Sequence, residues 1–178
     1  PVSVDDFAIS ETVDDFYLCA GQLVAYKRID LAVEAFTKMN KKLVVIGTGE
    51  EMANLKSKAG PSITFLDHQP FSSLKNHLAR CKALIFPGEE DFGIVPVEAM
   101  ASGRPVLAYG RGGAADTVLE GFSGMLFMEQ SADALIDCVE RFEQMESSFS
   151  PSGIRAHSFR FSRETFKDRM SQLIGREF

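Results

Sequence analysis

Four carboxylates stand close together in EEDFGIVPVEAMASGRPV, residues 89–106: Glu89, Glu90, Asp91 and Glu98, with seven residues between Glu90 and Glu98. Gly93 and Pro96 lie between them, and an alanine-rich run closes at Gly103. A carboxylate can accept hydrogen bonds from paired hydroxyls or stabilise developing positive charge. A helix start beside it offers unpaired N–H groups to an anion, and a glycine there lets a ligand reach the backbone. The plainer alternatives are a solvated acidic loop and, for Glu98, an acid that favours the helix dipole.

Two other stretches carry chemistry-bearing residues. Lys27 and Arg28 follow an apolar run and precede a helical pattern, as an exposed pair or as cations for a phosphate. Gly47-Thr48-Gly49-Glu50 invites a dinucleotide-binding reading, but position 52 is Met52, so the third glycine of that fingerprint is missing. An NAD-dependent oxidoreductase is therefore disfavoured. His68, His77 and His157 are scattered and suggest neither a metal site nor a triad; each reads as an ordinary surface or half-buried histidine. No Asp-x-Asp motif is present, and no metal is expected.

The elements that must position these residues follow from hydrophobic periodicity. Phe16–Leu23, Lys42–Ile46, Ser62–Leu66, Ala83–Phe86, Pro105–Tyr109 and a segment near Met125–Phe127 read as short, continuously apolar strands. Helical patterns alternate with them over 29–39, 50–59, a segment capped by Ser72, 94–102, 114–120 and 131–145, and a last helix covers 163–174. Residues 147–153 read as a polar break. Phe166, Met170, Leu173 and Ile174 share one face of the last helix, and the 15 phenylalanines read as core rather than a stacking platform. Continuous rather than alternating strands mark a parallel sheet covered on both faces, so the expected fold is α/β, a doubly wound, Rossmann-like sheet of about six strands. Ligands bind such sheets at the carboxyl ends of the strands, where the loop 87–93 falls. Residues 1–15 are acidic and aperiodic and read as a hinge or linker, with one domain over 16–178.

The chain has 178 residues, a net charge of −6, 45% apolar residues and no basic run, which argues against a nucleic-acid or anionic-membrane surface. Cys19, Cys81 and Cys138 sit among apolar neighbours without metal-like spacing and read as reduced, buried thiols of a cytoplasmic chain. No run of 18 apolar residues and no signal peptide are visible, and the first residue is Pro1, as expected of a segment from a longer protein.

Residues 89–107, EEDFGIVPVEAMASGRPVL, resemble the signature of the family 4 retaining glycosyltransferases, the group 1 nucleotide-sugar transferases, whose motif sets two glutamates seven residues apart. AGQLVAYKRIDLAVEAF (20–36) resembles that family's first strand, phosphate-binding loop and helix. GGAADTVLEGFSGMLF (112–127) and FSRETFKDRM (161–170) resemble its later segments, in order. The resemblance implies one half of a two-domain GT-B enzyme: the donor-binding domain, without the N-terminal acceptor domain. It implies that Glu90 lies beside the donor sugar, as a nucleophile or as a stabiliser of oxocarbenium-like charge in a same-face mechanism. Glu98 would accept from the ribose hydroxyls, and Lys27 would meet the diphosphate. The backbone around Phe92, Gly93 and Ile94 would face the sugar or diphosphate, with Gly47 and Gly49 near the nucleotide.

Gln22 stands where most of the family has arginine, so a charge is missing from the phosphate clamp, and Arg28 and Arg111 are nearby substitutes. The implied reaction transfers a hexose, with mannose from GDP-mannose favoured, to a glycan or lipid-linked glycan such as a bacterial surface polysaccharide. The parent enzyme would sit in the cytoplasm, peripheral at the inner membrane face, and the isolated domain would bind donor without turnover. The alternative is a non-catalytic or regulatory nucleotide-binding module whose site has degenerated at Gln22.

Overall fold

The computed structural model describes residues 1–175; the domain end expected at 178 lies outside the described residues. Six strands form one parallel sheet: β1 Tyr17–Ala20, β2 Leu43–Ile46, β3 Ile63–Leu66, β4 Leu84–Phe86, β5 Val106–Tyr109 and β6 Gly124–Phe127, in spatial order β3-β2-β1-β4-β5-β6. The register runs Leu18 opposite Val44 and Leu84, then Leu84 opposite Val106 and Val106 opposite Gly124. The chain winds outward from β1 to β3, returns to β4 beside β1, and winds outward again to β6. The direction reverses between β1 and β4, so their following loops part and leave a crevice.

The strands are almost wholly apolar because helices cover both faces of the sheet; the exposed Thr64 on the edge strand β3 is the polar exception. Leu18, Cys19, Leu84, Leu107 and Ala108 are fully buried, as are Phe36 and Phe142 on the helices above them. Each large side chain buried in this way contributes about 2 kcal/mol of transfer free energy. The helices are α1 Ile29–Met39, α2 Met52–Lys58, α3 Phe71–Arg80, α4 Ile94–Ala101, α5 Gly113–Thr117, α6 Ala132–Met145, α7 Pro151–Ser158 and α8 Arg163–Ile174. Ser131 and Ser162 cap α6 and α8 by accepting from Ala134 and Thr165 N–H groups at 3.2 and 3.1 Å.

Several boundaries differ from the sequence expectation, each for a local reason. β1 stops at Ala20 because Gly21, at φ 142°, turns the chain out of the sheet. α2 begins at Met52, since the Glu51 N–H is drawn back to the Leu23 carbonyl at 3.1 Å. Pro70 precedes α3 and Ser72 lies inside its first turn, so Ser72 is not the cap. The expected break at 147–153 instead contains the start of α7, where Ser150 Oγ accepts from the Gly153 N–H at 3.3 Å and Pro151 occupies the first turn. Phe166, Met170, Leu173 and Ile174 do align on α8, but all are exposed among the described residues.

The first fifteen residues lie on the domain: Val2, Val4 and Phe7 are buried. Two arginines hold this segment by its carbonyls. Arg104, only 4% exposed, donates to Ser10 at 3.0 Å and Ala79 at 2.7 Å, and Arg155 donates to Phe7 and Ala101. The three cysteines are free and buried, and burial pushes the Cys81 and Cys138 thiols up to about 12 and Cys19 further up.

Candidate functional site

At the carboxyl edge of the sheet, each loop is shaped by contact with its neighbour. After β1, Gly21 leads through Gln22 to a 3-10 turn, Ala25–Lys27, closed by a Lys27 N–H bond to the Val24 carbonyl at 3.1 Å. After β2, Gly47 lies so close to Gly21 that a Cβ on it would overlap the Gly21 carbonyl, and its φ of 138° itself excludes most side chains. After β4, Gly88 approaches the Lys27 backbone: a Cβ there would sit 2.8 Å from Lys27 Cα. The Glu90 carbonyl accepts the Gly113 N–H at 2.7 Å from the start of α5.

These contacts bring together Lys27 and Glu90, 63 positions apart in the chain. Lys27 Nζ lies 3.0 Å from Glu90 Oε1, both side chains being about four-fifths buried. Glu90 Oε1 is closed off from solvent, and the ammonium is its polar contact among the described residues. The ammonium also lies over Gly21, where a Cβ would stand 3.2 Å from Nζ. An anion arriving at Gly21 therefore meets a cation already paired with a carboxylate.

Gly21 also lines a cavity of about 290 Å³, with Ala20, Gln22, Ile46, Gly47, Thr48, His68, Gln69, Leu74 and Val95. Its walls come from the loops after β1, β2 and β3 and from α3 and α4, so it opens at the reversal point of the sheet. Gly93, at φ 77°, turns the chain into α4, which presents its first turn there. Glu98 stands three positions after Val95, on the same face of that helix. Its side chain is half-buried and makes no hydrogen bond or ion pair among the described residues, and burial pushes its carboxyl up to about 7.

The expected site residues divide by place. Gln22 and Gly47 are in the cavity wall, Lys27 and Glu90 pair at its rim, and Glu98 lies on the helix beside it. Gly49 is tucked against the Leu23 carbonyl outside the wall. The Phe92 ring packs edge-on to Phe161 at 6.1 Å, and Ile94 is 56% exposed; of the stretch 92–94, the Gly93 turn is what aims the helix. Arg28, one of the two nearby cations, is held elsewhere: its guanidinium forks onto Asp30 at 3.1 and 3.2 Å. Its backbone is left-handed at φ 51°, a conformation that costs an L-residue about 1 kcal/mol. Arg111 is exposed beside Gly112, which abuts the Glu90 carbonyl.

Gln69, Leu74 and Val95 are not among the residues expected from sequence; the family resemblance implies that the loops holding Thr48 and His68 lie near the nucleotide, although His68 itself reads as ordinary. The available signal is positional: His68 and Gln69 follow β3 at the same sheet edge as the glycine loops. Among the described residues no group of three His, Cys, Asp or Glu side chains converges as a metal site would, and no helix is long and apolar enough to cross a membrane.

The chain is similar to several known proteins. An alpha-1,3/1,6-mannosyltransferase of Neurospora crassa is 31% identical over 129 residues, covering 68% of this chain and 27% of the relative. A lipopolysaccharide 1,2-N-acetylglucosaminetransferase of Salmonella typhimurium is 32% identical over 144 residues, covering 70% of this chain and 38% of the relative. The chain thus spans about a third of the length of these curated relatives. Among solved structures, the lipopolysaccharide outer core galactosyltransferase WaaB in its apo form superposes with a TM-score of 0.86 at 18% identity, over 100% of this chain and 54% of that one. Anabaena HepE in complex with UDP-glucose superposes with a TM-score of 0.79 at 20% identity, over 91% of this chain and 49% of that one. At these identities the likeness is one of fold, the doubly wound half of a GT-B glycosyltransferase. The model of the glycosyl transferases group 1 matches residues 6–155, and the chain belongs to that family.

Proposed function

We propose that this chain is the donor-binding half of a retaining glycosyltransferase, which binds a nucleotide-sugar and does not turn over without an acceptor domain. The observation that carries the reading is the Lys27–Glu90 pair over Gly21, at the mouth of a cavity flanked by Glu98. In this reading the nucleoside enters the cavity and its ribose hydroxyls donate to Glu98, which offers two acceptor oxygens. The diphosphate lies over Gly21 and the first turn of α4, where backbone N–H groups and Lys27 offset its charge. When the bond from the anomeric carbon to the diphosphate oxygen breaks, Lys27 stabilises the leaving oxygen. Glu90 then faces the electron-poor sugar, and the acceptor hydroxyl, arriving on the same face, bonds to the anomeric carbon and gives its proton to the departing diphosphate oxygen. Gln22 adds a neutral donor, and no metal takes part.

The sugar is a hexose. Mannose from GDP-mannose is favoured by the resemblance of the loops and by relatives named as mannosyltransferases, including a GDP-mannose-dependent enzyme of Mycolicibacterium smegmatis, 28% identical over 140 residues. The acceptor is a glycan or lipid-linked glycan of a surface polysaccharide, reached from the cytoplasm by a parent enzyme at the inner membrane face. Calorimetric titration with GDP-mannose, UDP-glucose and ADP-glucose tests this. Binding of GDP-mannose ahead of the other two is expected, and absence of heat for all three at about millimolar concentration, a binding energy of only about 4 kcal/mol, overturns the reading.

One observation favours a second reading. Gln22 brings no charge to the cavity wall, and the Lys27 charge is already neutralised by Glu90. A regulatory nucleotide-binding module would share this geometry, and its full-length chain would bind nucleotide without transferring sugar.

A further inference from the structure

Among the described residues, Arg28 and Asn40 are the non-glycine residues with left-handed backbone, at φ 51° and 52°. Asn40 closes α1, a position and residue type that tolerate this conformation. Arginine has no such tolerance, so its side chain must account for its presence.

The side chain takes part in a relay. The guanidinium forks onto both Asp30 oxygens, and its Nη1 donates to Gln130 Oε1 at 3.3 Å. Gln130 Nε2 donates in turn to the Pro87 carbonyl at 2.9 Å. This orientation of the amide is the one that works, since the reverse would set its NH2 against the guanidinium and its oxygen against a carbonyl. Pro87 precedes Gly88, which abuts the Lys27 backbone, and Glu90 follows two residues on. The relay therefore starts at the residue after Lys27, crosses to the loop after β6, and ends on the loop that carries Glu90.

We propose that Arg28 and Gln130 are positioning residues, which fix the Lys27 loop and the Glu90 loop relative to each other and so set the cation that meets the donor diphosphate. The inference rests on the donor-binding reading above. The Arg28–Asp30 fork joins residues two positions apart in the chain, with side chains 34% and 38% exposed, so it orients the guanidinium without itself tying the two loops. The links between the loops are the two Gln130 hydrogen bonds, and what they do is align one loop with the other.

Two substitutions, with Lys27→Ala as the control, separate the possibilities, with UDP and GDP as calorimetric probes and deuterium uptake of residues 88–93 as a second readout. Arg28→Gly relieves the backbone and removes the relay. It should keep or raise the melting temperature, weaken nucleoside diphosphate binding roughly fivefold, the value of about one hydrogen bond, and speed exchange across 88–93. Gln130→Glu strengthens the contact to Arg28 but sets a carboxylate against the Pro87 carbonyl, and it should weaken binding to a similar degree. If Gln130→Glu binds like the parent, the effect stops at Arg28 and the relay is overturned. If Arg28→Gly leaves binding and exchange unchanged while Lys27→Ala loses binding, the relay falls and the donor-binding reading stands. If the parent binds neither probe, the reading falls and takes the relay with it.

Discussion

The two ends of the sheet are built on different principles. At the carboxyl end, loops meet backbone to backbone: Gly47 on Gly21, Gly88 on Lys27, Gly113 on Glu90. At the amino end, backbone bonds such as the Asp14 N–H to the Arg80 carbonyl at 2.7 Å are reinforced by long charged side chains. Asp14 forks onto Arg80 at 2.8 Å, Asp15 reaches Lys42 and Lys82, and Arg104 and Arg155 hold the first segment by its carbonyls. Close backbone contacts at these glycines have little slack, and the Arg28–Gln130 relay adds to them, whereas the long side chains of the amino end adjust. The end that carries the cavity is the less adjustable one, and it leaves the side chains of Gln22, His68 and Glu98 without hydrogen bonds or ion pairs among the described residues, whereas Gln69 Oε1 accepts from Ser73 Oγ at 3.0 Å.

This contrast can be broken at either end. The largest effect is expected from Gly47→Ala, where the new methyl meets the Gly21 carbonyl in a backbone conformation that alanine avoids. A loss of about 3 kcal/mol or more in urea unfolding is expected. An unchanged midpoint would show that the carboxyl edge yields and would end the comparison.

At the other end, Arg104→Met strips hydrogen bonds from the Ser10 and Ala79 carbonyls. Stability should fall by about 2 kcal/mol while nucleotide affinity is unchanged; a loss of affinity would mean that the two ends are coupled.

Glu98 gives a smaller effect of known sign. Its carboxyl is raised to about 7 by burial, above the ordinary 4.5. Its contribution to stability is therefore complete below the ordinary carboxylate range and is lost as pH rises through about 7. Acceptance of ribose hydroxyls favours the ionised form, so affinity moves the opposite way. UDP-glucose or GDP-mannose, whose diphosphate diesters do not titrate there, should bind up to roughly tenfold tighter at pH 8 than at pH 6. Glu98→Gln should flatten that profile and weaken binding. An unchanged affinity would remove the ribose assignment, whereas Glu90→Gln should spare affinity and abolish transfer in the full-length chain.

The smallest effect is at Asp15, an exposed carboxylate 3.2 Å from Lys42 and 3.1 Å from Lys82. Asp15→Asn should cost less than about 0.5 kcal/mol and should vanish in high salt. A larger cost would mean that the amino end is not as adjustable as its side chains suggest.

Sequence patterns show best where one local constraint acts. Leu43–Ile46, Leu84–Phe86 and Val106–Tyr109 are buried on both faces, and their composition alone reports it. Gly93 and Glu98 keep their spacing because a helix start dictates it. The cap at Ser150 was present as a serine followed by Pro151, but the polar stretch around it hid the short helix. The stripe on α8 shows the limit of periodicity, which reveals an apolar face without saying what covers it.

The rest of the site depends on distance in the chain. Arg28 and Gln130 are 102 residues apart, on the loops after β1 and β6, which lie on either side of the loop after β4 that carries Pro87. His68 and Gln69 enter the cavity wall because β3 ends at the same edge as β1 and β2, a fact of topology rather than of composition.

The three buried thiols have a practical consequence. Cys19 lies on the central strand, Cys81 at the end of α3 and Cys138 on α6, and each is held protonated by its surroundings. An alkylating pulse at pH 8 reacts with thiolate alone, so each cysteine is silent until its own segment opens. The chain carries three built-in clocks. Peptide mapping after timed pulses would read which part of the molecule opens first, without a label that disturbs the packing.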